Sequence, residues 1–315
     1  MSRVLVLGAN GFLGSHIVDS LIASGYSVRA FDRFSNQDIR FIENENIELF
    51  SGDFLNRSDI RKALNGVEYV FHLVSTTNPA TAEADPLIDI DTNIKGSVAL
   101  FQDCVASGRV KRVLYASSGG TVYGEHDSSE PINESEPTLP VSPYGIGKLT
   151  IENYLRYFSV KEGLESVSFR IANPYGERQP LMRKQGVIPI FLEKIMKGEE
   201  VTILGDGSMV RDYIYVKDVA DMMVETLAHT PKYDVYNIGS GRGSSVSEIV
   251  DTVAEVTGLG VKSIYKSAPK TFIHTSVLDT SRYDNEFGRH NHTSLRDGVG
   301  LTCQYLRNDL GIIHG

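Results

Sequence analysis

The sequence predicts an α/β protein: a doubly wound parallel sheet with a smaller, discontinuous second lobe. Three observations lead there. Short apolar runs alternate with segments of helical apolar spacing through the first half of the chain, the rhythm of repeated strand–helix–strand units. Gly8, Gly11 and Gly14 separate the first such run from the first such helix. After Asn173-Pro174-Tyr175-Gly176 the rhythm breaks.

The elements follow in order. Val4-Leu5-Val6-Leu7 reads as a buried strand and 12–23 as a helix. Strands are expected at 27–31, 47–50 (ending at Gly52-Asp53-Phe54) and 69–74, with a helix over 58–64. A long helix is expected over 87–107, stopped by Gly108, and a strand over 112–117. Ser142-Pro143 opens a helix over 144–161, since proline suits the first helical turn. A sixth strand takes 166–171. Beyond the break come a helix over 188–197, a strand over 201–204, the turn Gly205-Asp206-Gly207, a strand over 213–216 and a helix over 219–229. The last sheet strand is placed at 233–238 and a helix at 246–256, and the remainder is expected to be irregular. The expected domains are 1–172 plus 213–238, carrying the sheet, and 173–212 plus 239–315, the second lobe. The polar stretch 124–143 is long enough to border a site.

At 315 residues, 41% hydrophobic and 23% charged, the composition is that of an ordinary soluble protein. A net charge of −9 without a basic stripe argues against nucleic acid as a partner. Cys104 and Cys303 make no disulfide framework. The eight histidines are scattered without paired ligand spacing, so no metal is expected. No apolar stretch approaches the roughly 20 residues that span a bilayer, so no membrane partner is expected. The first strand begins at once, which leaves no room for a signal peptide and points to the cytoplasm.

Strand, glycine turn and helix together make the context of a dinucleotide-binding turn. Gly8 allows the tight turn, Gly11 the approach of backbone to a pyrophosphate, and Gly14 close packing of helix on strand. Asn10, Phe12 and Leu13 complete the cofactor-binding segment at the helix N-terminus, whose N–H groups and dipole favour phosphate. Asp32 stands at the end of the second strand, 18 residues after Gly14. A carboxylate there accepts from both ribose hydroxyls and repels a 2′-phosphate, favouring NAD over NADP. Arg33 beside it could tolerate a phosphate.

Tyr144-Gly145-Ile146-Gly147-Lys148 sets a phenol and an ammonium four apart on one helix face. The ammonium is expected to lower the tyrosine pKa, and a positively charged nicotinamide to lower it further. Such a tyrosine can remove a proton from an alcohol while the same carbon gives up hydride. Arg211 suits bidentate phosphate contact, with a surface ion pair to Asp212 or Asp218 as its alternative.

These segments, with Thr121-Val122-Tyr123-Gly124 and the run from Arg211 to Val219, resemble the extended short-chain dehydrogenase/reductase family. Within it the chain is most similar to UDP-glucose and UDP-N-acetylglucosamine 4-epimerases, over nearly its whole length. The resemblance implies a Rossmann sheet and tightly held NAD. Asp53 and Phe54 would flank the adenine, and Lys148 would also hold the nicotinamide ribose. Asn173 and Arg211 would bind the substrate diphosphate, and backbone around Val201 would meet the uracil. Asn93 would bond backbone near the site, and Asp218 is read as a helix N-cap. The family's catalytic hydroxyl falls on Gly119 by count, leaving Ser118 as first and Thr121 as second candidate. The second diphosphate arginine falls on Pro269, with Lys270 adjacent to supply charge. Ser276 occupies the position that borders the sugar's C2 substituent, and its small size would admit an N-acetyl group. The segment Gly119-Gly120-Thr121 lacks the acidic residues of the family's dehydratases and decarboxylases. The implied reaction is 4-epimerisation of a nucleotide sugar through a transient 4-keto sugar. The alternatives are a nucleotide-sugar 4-keto reductase and a non-catalytic nucleotide-sensing regulator. A homodimer through the helices at 87–107 and 144–161 is also implied.

Overall fold

The structure, a computed structural model, describes residues 2–34, 39–126, 130–183, 185–267 and 273–309. They form two compact units. The first draws on 1–124, 137–171 and 220–236, the second on 125–136, 172–219 and 237–315.

The first unit holds six strands of a seven-stranded sheet and the start of the seventh. Its order is Val235–Ile238, Glu165–Ile171, Arg112–Ser118, Tyr69–His72, Arg3–Leu7, Ser27–Asp32 and Ile47–Ser51. The pairings from Ile47–Ser51 through Glu165–Ile171 are parallel. The order reverses beside Arg3–Leu7, the switch point at which open α/β sheets bind ligands. Arg3–Leu7 is nearly continuously apolar because helices cover both faces of such a sheet. Leu5, Leu7, Phe31, Leu100, Phe101 and Tyr115 belong to its core.

The expected helix over 87–107 is not continuous. A short helix, Pro86–Ile88, leads into a π-helical segment, Asp89–Ile94, and then the α-helix Lys95–Ser107. The wider π turn accompanies two buried polar residues, Asp89 and Asn93, on one segment. Such turns occur frequently at functional sites. The helix Pro143–Glu162 starts where proline predicts, with Ser142 accepting from the Gly145 amide.

In the second unit Val210–Tyr215 is the organising strand. It pairs with Gly243–Ser245, Thr275–Ser276 and Asn173–Tyr175. Those partners explain why 213–219 belongs here and not with the first unit. Segment 125–136 joins it through Ile132, which bridges Leu278 and exchanges backbone hydrogen bonds with Val277 and Asp279. Val201–Leu204 pairs separately with Ser263–Lys266. The expectation of an irregular C-terminal region is corrected: Ser281–Phe287 and Leu295–Asp309 are helices. Val299, Cys303 and Leu306 form the buried stripe of the latter, at spacings of four and three that suit a helix. Gly298 and Gly300 disguise this pattern in the sequence. Gly298 lies so close to Tyr175 that a β-carbon would sit 2.3 Å from its hydroxyl.

Candidate active site

The glycine turn is built for close approach. Gly8 has φ +86°, which a side chain would strain. A β-carbon on Gly14 would lie 2.0 Å from the Gly8 carbonyl oxygen, and one on Gly11 would lie 3.0 Å from it. The helix Phe12–Ala23 has Gly11 as N-cap, so no side chain accepts from its first amides, and no acidic residue occupies its first turn. Phe12, Leu13 and Gly14 form that turn. Such an N-terminus suits an anion supplied by a ligand. Asp32 is turned back toward it: its Oδ2 accepts from the Asn10 amide at 3.0 Å and its Oδ1 from the Arg33 amide at 2.8 Å. The carboxylate is therefore held at the strand end beside the turn, where a ribose would need it. This cradle fits a dinucleotide. Asp53 caps a turn by accepting from the Leu55 amide at 2.9 Å. Phe54 is buried and stacks on His72 with ring centroids 5.3 Å apart, so its side chain serves the core.

Tyr144 and Lys148 lie on one face of Pro143–Glu162, as their spacing predicts. They line a small cavity with Val74, Ser75, Asp89 and Asn93. Tyr144 is partly exposed and Lys148 is buried. Ser75 lines the cavity beside the Tyr144 phenol, and its own hydroxyl donates to the Thr77 carbonyl at 2.8 Å. Lys148 Nζ donates to the Ala116 carbonyl at 2.8 Å and stands 5.5 Å from the Tyr144 ring centroid. The expected lowering of the tyrosine pKa is not what this environment gives. Burial pushes the phenol up to about 12, the Asp89 carboxylate adds to that, and the Ser75 hydroxyl opposes it. The ammonium lies against the ring face and bonds backbone, so it does not overcome desolvation. Burial in turn pulls Lys148 down to about 8, with the Asp89 and Glu152 carboxylates opposing.

Two acidic groups beside this pair escaped the sequence reading. Asp89 accepts from Thr77 Oγ1 at 2.5 Å and from Asn93 Nδ2 at 2.8 Å. A β-carbon on Gly147 would lie 1.9 Å from its Oδ2, so that glycine makes room for the carboxylate. Asn93 Oδ1 also accepts from the Thr76 amide at 2.9 Å, as expected of a residue that fixes nearby backbone. Glu152 accepts from Ser117 and forms a buried pair with Arg170, 2.9 Å at closest. Its position four residues after Lys148 was the available signal. Nothing local marks Asp89.

Ser118 ends the strand Arg112–Ser118, and Thr121 lies in the short helix Gly119–Val122. Thr121 Oγ1 donates to the Ser118 carbonyl at 3.4 Å. A β-carbon on Gly145 would lie 2.7 Å from the Thr121 carbonyl oxygen, so this segment abuts the helix start that carries Tyr144.

In the second unit Asn173, Arg211 and Ser276 come together. Asn173 Nδ2 donates to the Asp212 carbonyl at 3.0 Å. Arg211 and Ser276 are register partners. The Arg211 guanidinium donates to the carbonyls of Val210 at 2.8 Å, His274 at 3.1 Å and Ile273, and not to Asp212 or Asp218 in any of these bonds. Ser276 is 4% exposed. Val201 is fully buried in its separate two-stranded sheet, and its amide donates to Lys262. Lys270 and Pro269 lie outside the described residues. Asp218 is not an N-cap: it sits within the first turn of the helix Val216–Glu225. It accepts from the Thr293 amide at 2.7 Å and hydroxyl at 3.0 Å.

The model of the NAD dependent epimerase/dehydratase family matches residues 4–239. The chain belongs to that family. It is an enzyme family with NAD as cofactor, and the glycine cradle and Asp32 are where this chain can hold it. The chain is similar to a UDP-glucose 4-epimerase of Thermotoga maritima crystallised with UDP-glucose. The identity is 36%, the TM-score 0.91, and the match covers 98% of this chain and 99% of that one. It is 32% identical to a UDP-glucose 4-epimerase of Mycolicibacterium smegmatis, over 97% of this chain and 99% of the relative. It is 30% identical to a dTDP-4-dehydro-6-deoxyglucose reductase of Escherichia coli, over 96% and 97% respectively. Among the described residues no helix is long and apolar enough to cross a membrane.

Proposed function

We propose that the protein is an NAD-dependent nucleotide-sugar 4-epimerase acting on UDP-hexoses. The observation that carries this reading is the Tyr144–Lys148 face, which sets a phenol and a buried ammonium together on the wall of one cavity. Bound NAD would supply a reversible hydride acceptor for the sugar C4, held at the glycine cradle and Asp32. Tyr144 takes the C4 hydroxyl proton and, once the 4-keto sugar has turned so that hydride returns to its other face, gives a proton back to the same oxygen. Lys148 supplies positive charge that favours the phenolate in that step. Ser118 is the first candidate to hydrogen-bond the sugar oxygen, with Thr121 second. Gly119-Gly120-Thr121 carries no carboxylate to support elimination or decarboxylation. Asn173 and Arg211 hold the diphosphate, and the Val201 strand meets the uracil through its backbone. Ser276, by its size, leaves room for an N-acetyl group. The reductase similarity supports a second reading as a 4-keto reductase.

A homodimer through Pro143–Glu162 is part of the proposal. Ile146, Tyr157 and Val160 on that helix are exposed, and their spacing repeats along one face. The test of function is incubation with a panel of UDP-hexoses, resolving the C4 epimers by NMR. Interconversion with co-purified NAD supports the epimerase. An empty protein that consumes NADPH with a 4-keto sugar supports the reductase, and neither activity refutes both.

A further inference from the structure

We infer that Asp218, His290 and His292 form a binding site for one divalent cation of the zinc class. Their ligand atoms all lie within 4.8 Å of one another, although the aspartate and the first histidine are 72 positions apart in sequence. Two imidazoles and a carboxylate are a donor set that zinc accepts, with water or a fourth group completing a tetrahedron.

The details favour coordination over a plain ion pair. His290 Nε2 stands 3.6 Å from Asp218 Oδ1. That is long for a hydrogen bond, but it is near the ligand-to-ligand edge of about 3.4 Å that zinc–nitrogen and zinc–oxygen bonds of about 2.1 Å imply. The carboxylate has capacity to spare. Thr293 uses two of its roughly four lone-pair sites, and those bonds fix its orientation as the supporting partners of a metal ligand do. His292 Nδ1 is buried with no hydrogen-bond partner, and so is Asp284 Oδ1. The Asp284 carboxylate acts electrostatically on His292. An orphaned imidazole nitrogen inside such a cluster is costly unless something satisfies it, and a cation on that nitrogen does so. The rings of His290 and His292 have centroids 5.3 Å apart at 55°, so they do not stack flat and can turn toward a common centre. Arg242 and Arg289 are the charged groups that oppose a cation here. The role assigned is structural: the ion would tie the segment before the helix Leu295–Asp309 to the first turn of Val216–Glu225.

The test uses untagged, full-length protein stripped with chelator. Cobalt(II) is titrated and its d–d absorption recorded, and zinc(II) is then added in competition. We expect an intense visible band of four-coordinate cobalt, displaced by one equivalent of zinc, and a rise in Tm on loading. His292→Ala should weaken cobalt binding roughly a hundredfold, as loss of one ligand from a tetrahedral site does. His229→Ala, a histidine of the other unit, should leave it unchanged. Circular dichroism checks folding, and His292→Asn replaces the alanine variant if that one fails to fold. No cobalt band in the wild-type protein overturns the proposal. So does a band that survives both His292 substitutions, or one that His229→Ala removes equally.

Discussion

The helix face at Tyr144 and the strand around Arg211 both bring buried charge to one place, but by opposite means. On the helix face, side chains act on side chains. Tyr144, Lys148 and Glu152 repeat every four residues, and Asp89 approaches across Gly147. Around Arg211, backbone does the work. The guanidinium donates to three carbonyls, and the fully buried Asp212 accepts from the Ser240 amide at 2.8 Å, its hydroxyl at 2.7 Å and the Gly241 amide at 3.2 Å. The first arrangement can change charge without dismantling the fold, because its partners are side chains lining a cavity. The second can lose charge only by unpairing the loops that close it. Chemistry that moves protons belongs on the first, and a fixed cation that holds an anion suits the second.

The largest expected effect tests the first half of that comparison. Tyr144→Phe removes the proton path and leaves the ring in its packing. Turnover should fall by roughly a hundred- to ten-thousandfold, while circular dichroism and NAD binding stay as in the wild-type protein. Activity within a few-fold of wild type would remove Tyr144 from the chemistry.

The matching test of the second half is Asp212→Ala. It strands several donors that a buried carboxylate now satisfies, at a cost of about 3 kcal/mol or more. Denaturant unfolding should show it as a lower midpoint. A change under 0.5 kcal/mol, the usual scale of an ordinary surface substitution, would mean that the Asp212 bonds do not hold this sheet together.

The same contrast explains what the sequence could reveal. Helix spacing is a local property, so Tyr144, Lys148, the Ser142 cap and the glycine turn are legible from neighbours within four residues. Glu152 is legible by the same rule, four residues after Lys148. Asp89 and Ser75 are not, because their meeting with Tyr144 depends on a π turn and on a loop, neither of which has a period. Around Arg211, four strands from 173–175, 210–215, 243–245 and 275–276 must pair before any contact exists. Their short lengths leave almost no alternation to read. The sequence also misjudged the tyrosine's electrostatics: it supplied the partner's charge but not the desolvation, which here outweighs it.

A smaller effect follows from Lys148. Its folded-state pKa lies near 8, below the ordinary 10.5, so the unfolded chain binds more protons between those values. Stability of the cofactor-free protein should therefore rise as pH increases from 8 toward 10.5. Below pH 8 the penalty of burying the charge is fully present. In Lys148→Met this rise should disappear, as read from Tm across that pH range against the wild-type protein. A wild-type slope that persists in the variant would assign the titration elsewhere.

Asp32 comes next, since its loss changes affinity and not the proton path. Asp32→Ala should weaken NAD binding roughly tenfold or more, the scale of hydrogen bonds to a charged group, and weaken NADP binding less. Calorimetric titration of both cofactors reads the difference. Equal weakening would show that the carboxylate only braces Asn10 and Arg33.

The least effect is expected for the hydroxyls of Ser118 and Thr121, and their ranking sharpens the comparison on the side-chain side. Thr121 Oγ1 is directed at the Ser118 carbonyl, and the Thr121 carbonyl presses against Gly145. Thr121 thus shapes the segment from within. Ser118 stands one residue earlier, where the strand Arg112–Ser118 ends and the short helix begins. A hydroxyl at a strand end faces the region where ligands of such sheets bind. Ser118→Ala should therefore reduce kcat for C4 epimerisation by about tenfold, the loss of one hydrogen bond that strengthens in the transition state. Thr121→Ala should cost only a few-fold, with part of that visible as lower stability. If Thr121→Ala is the slower enzyme at unchanged Tm, the sugar oxygen is held by Thr121, and the helix Gly119–Val122, not the strand end, presents the hydroxyl.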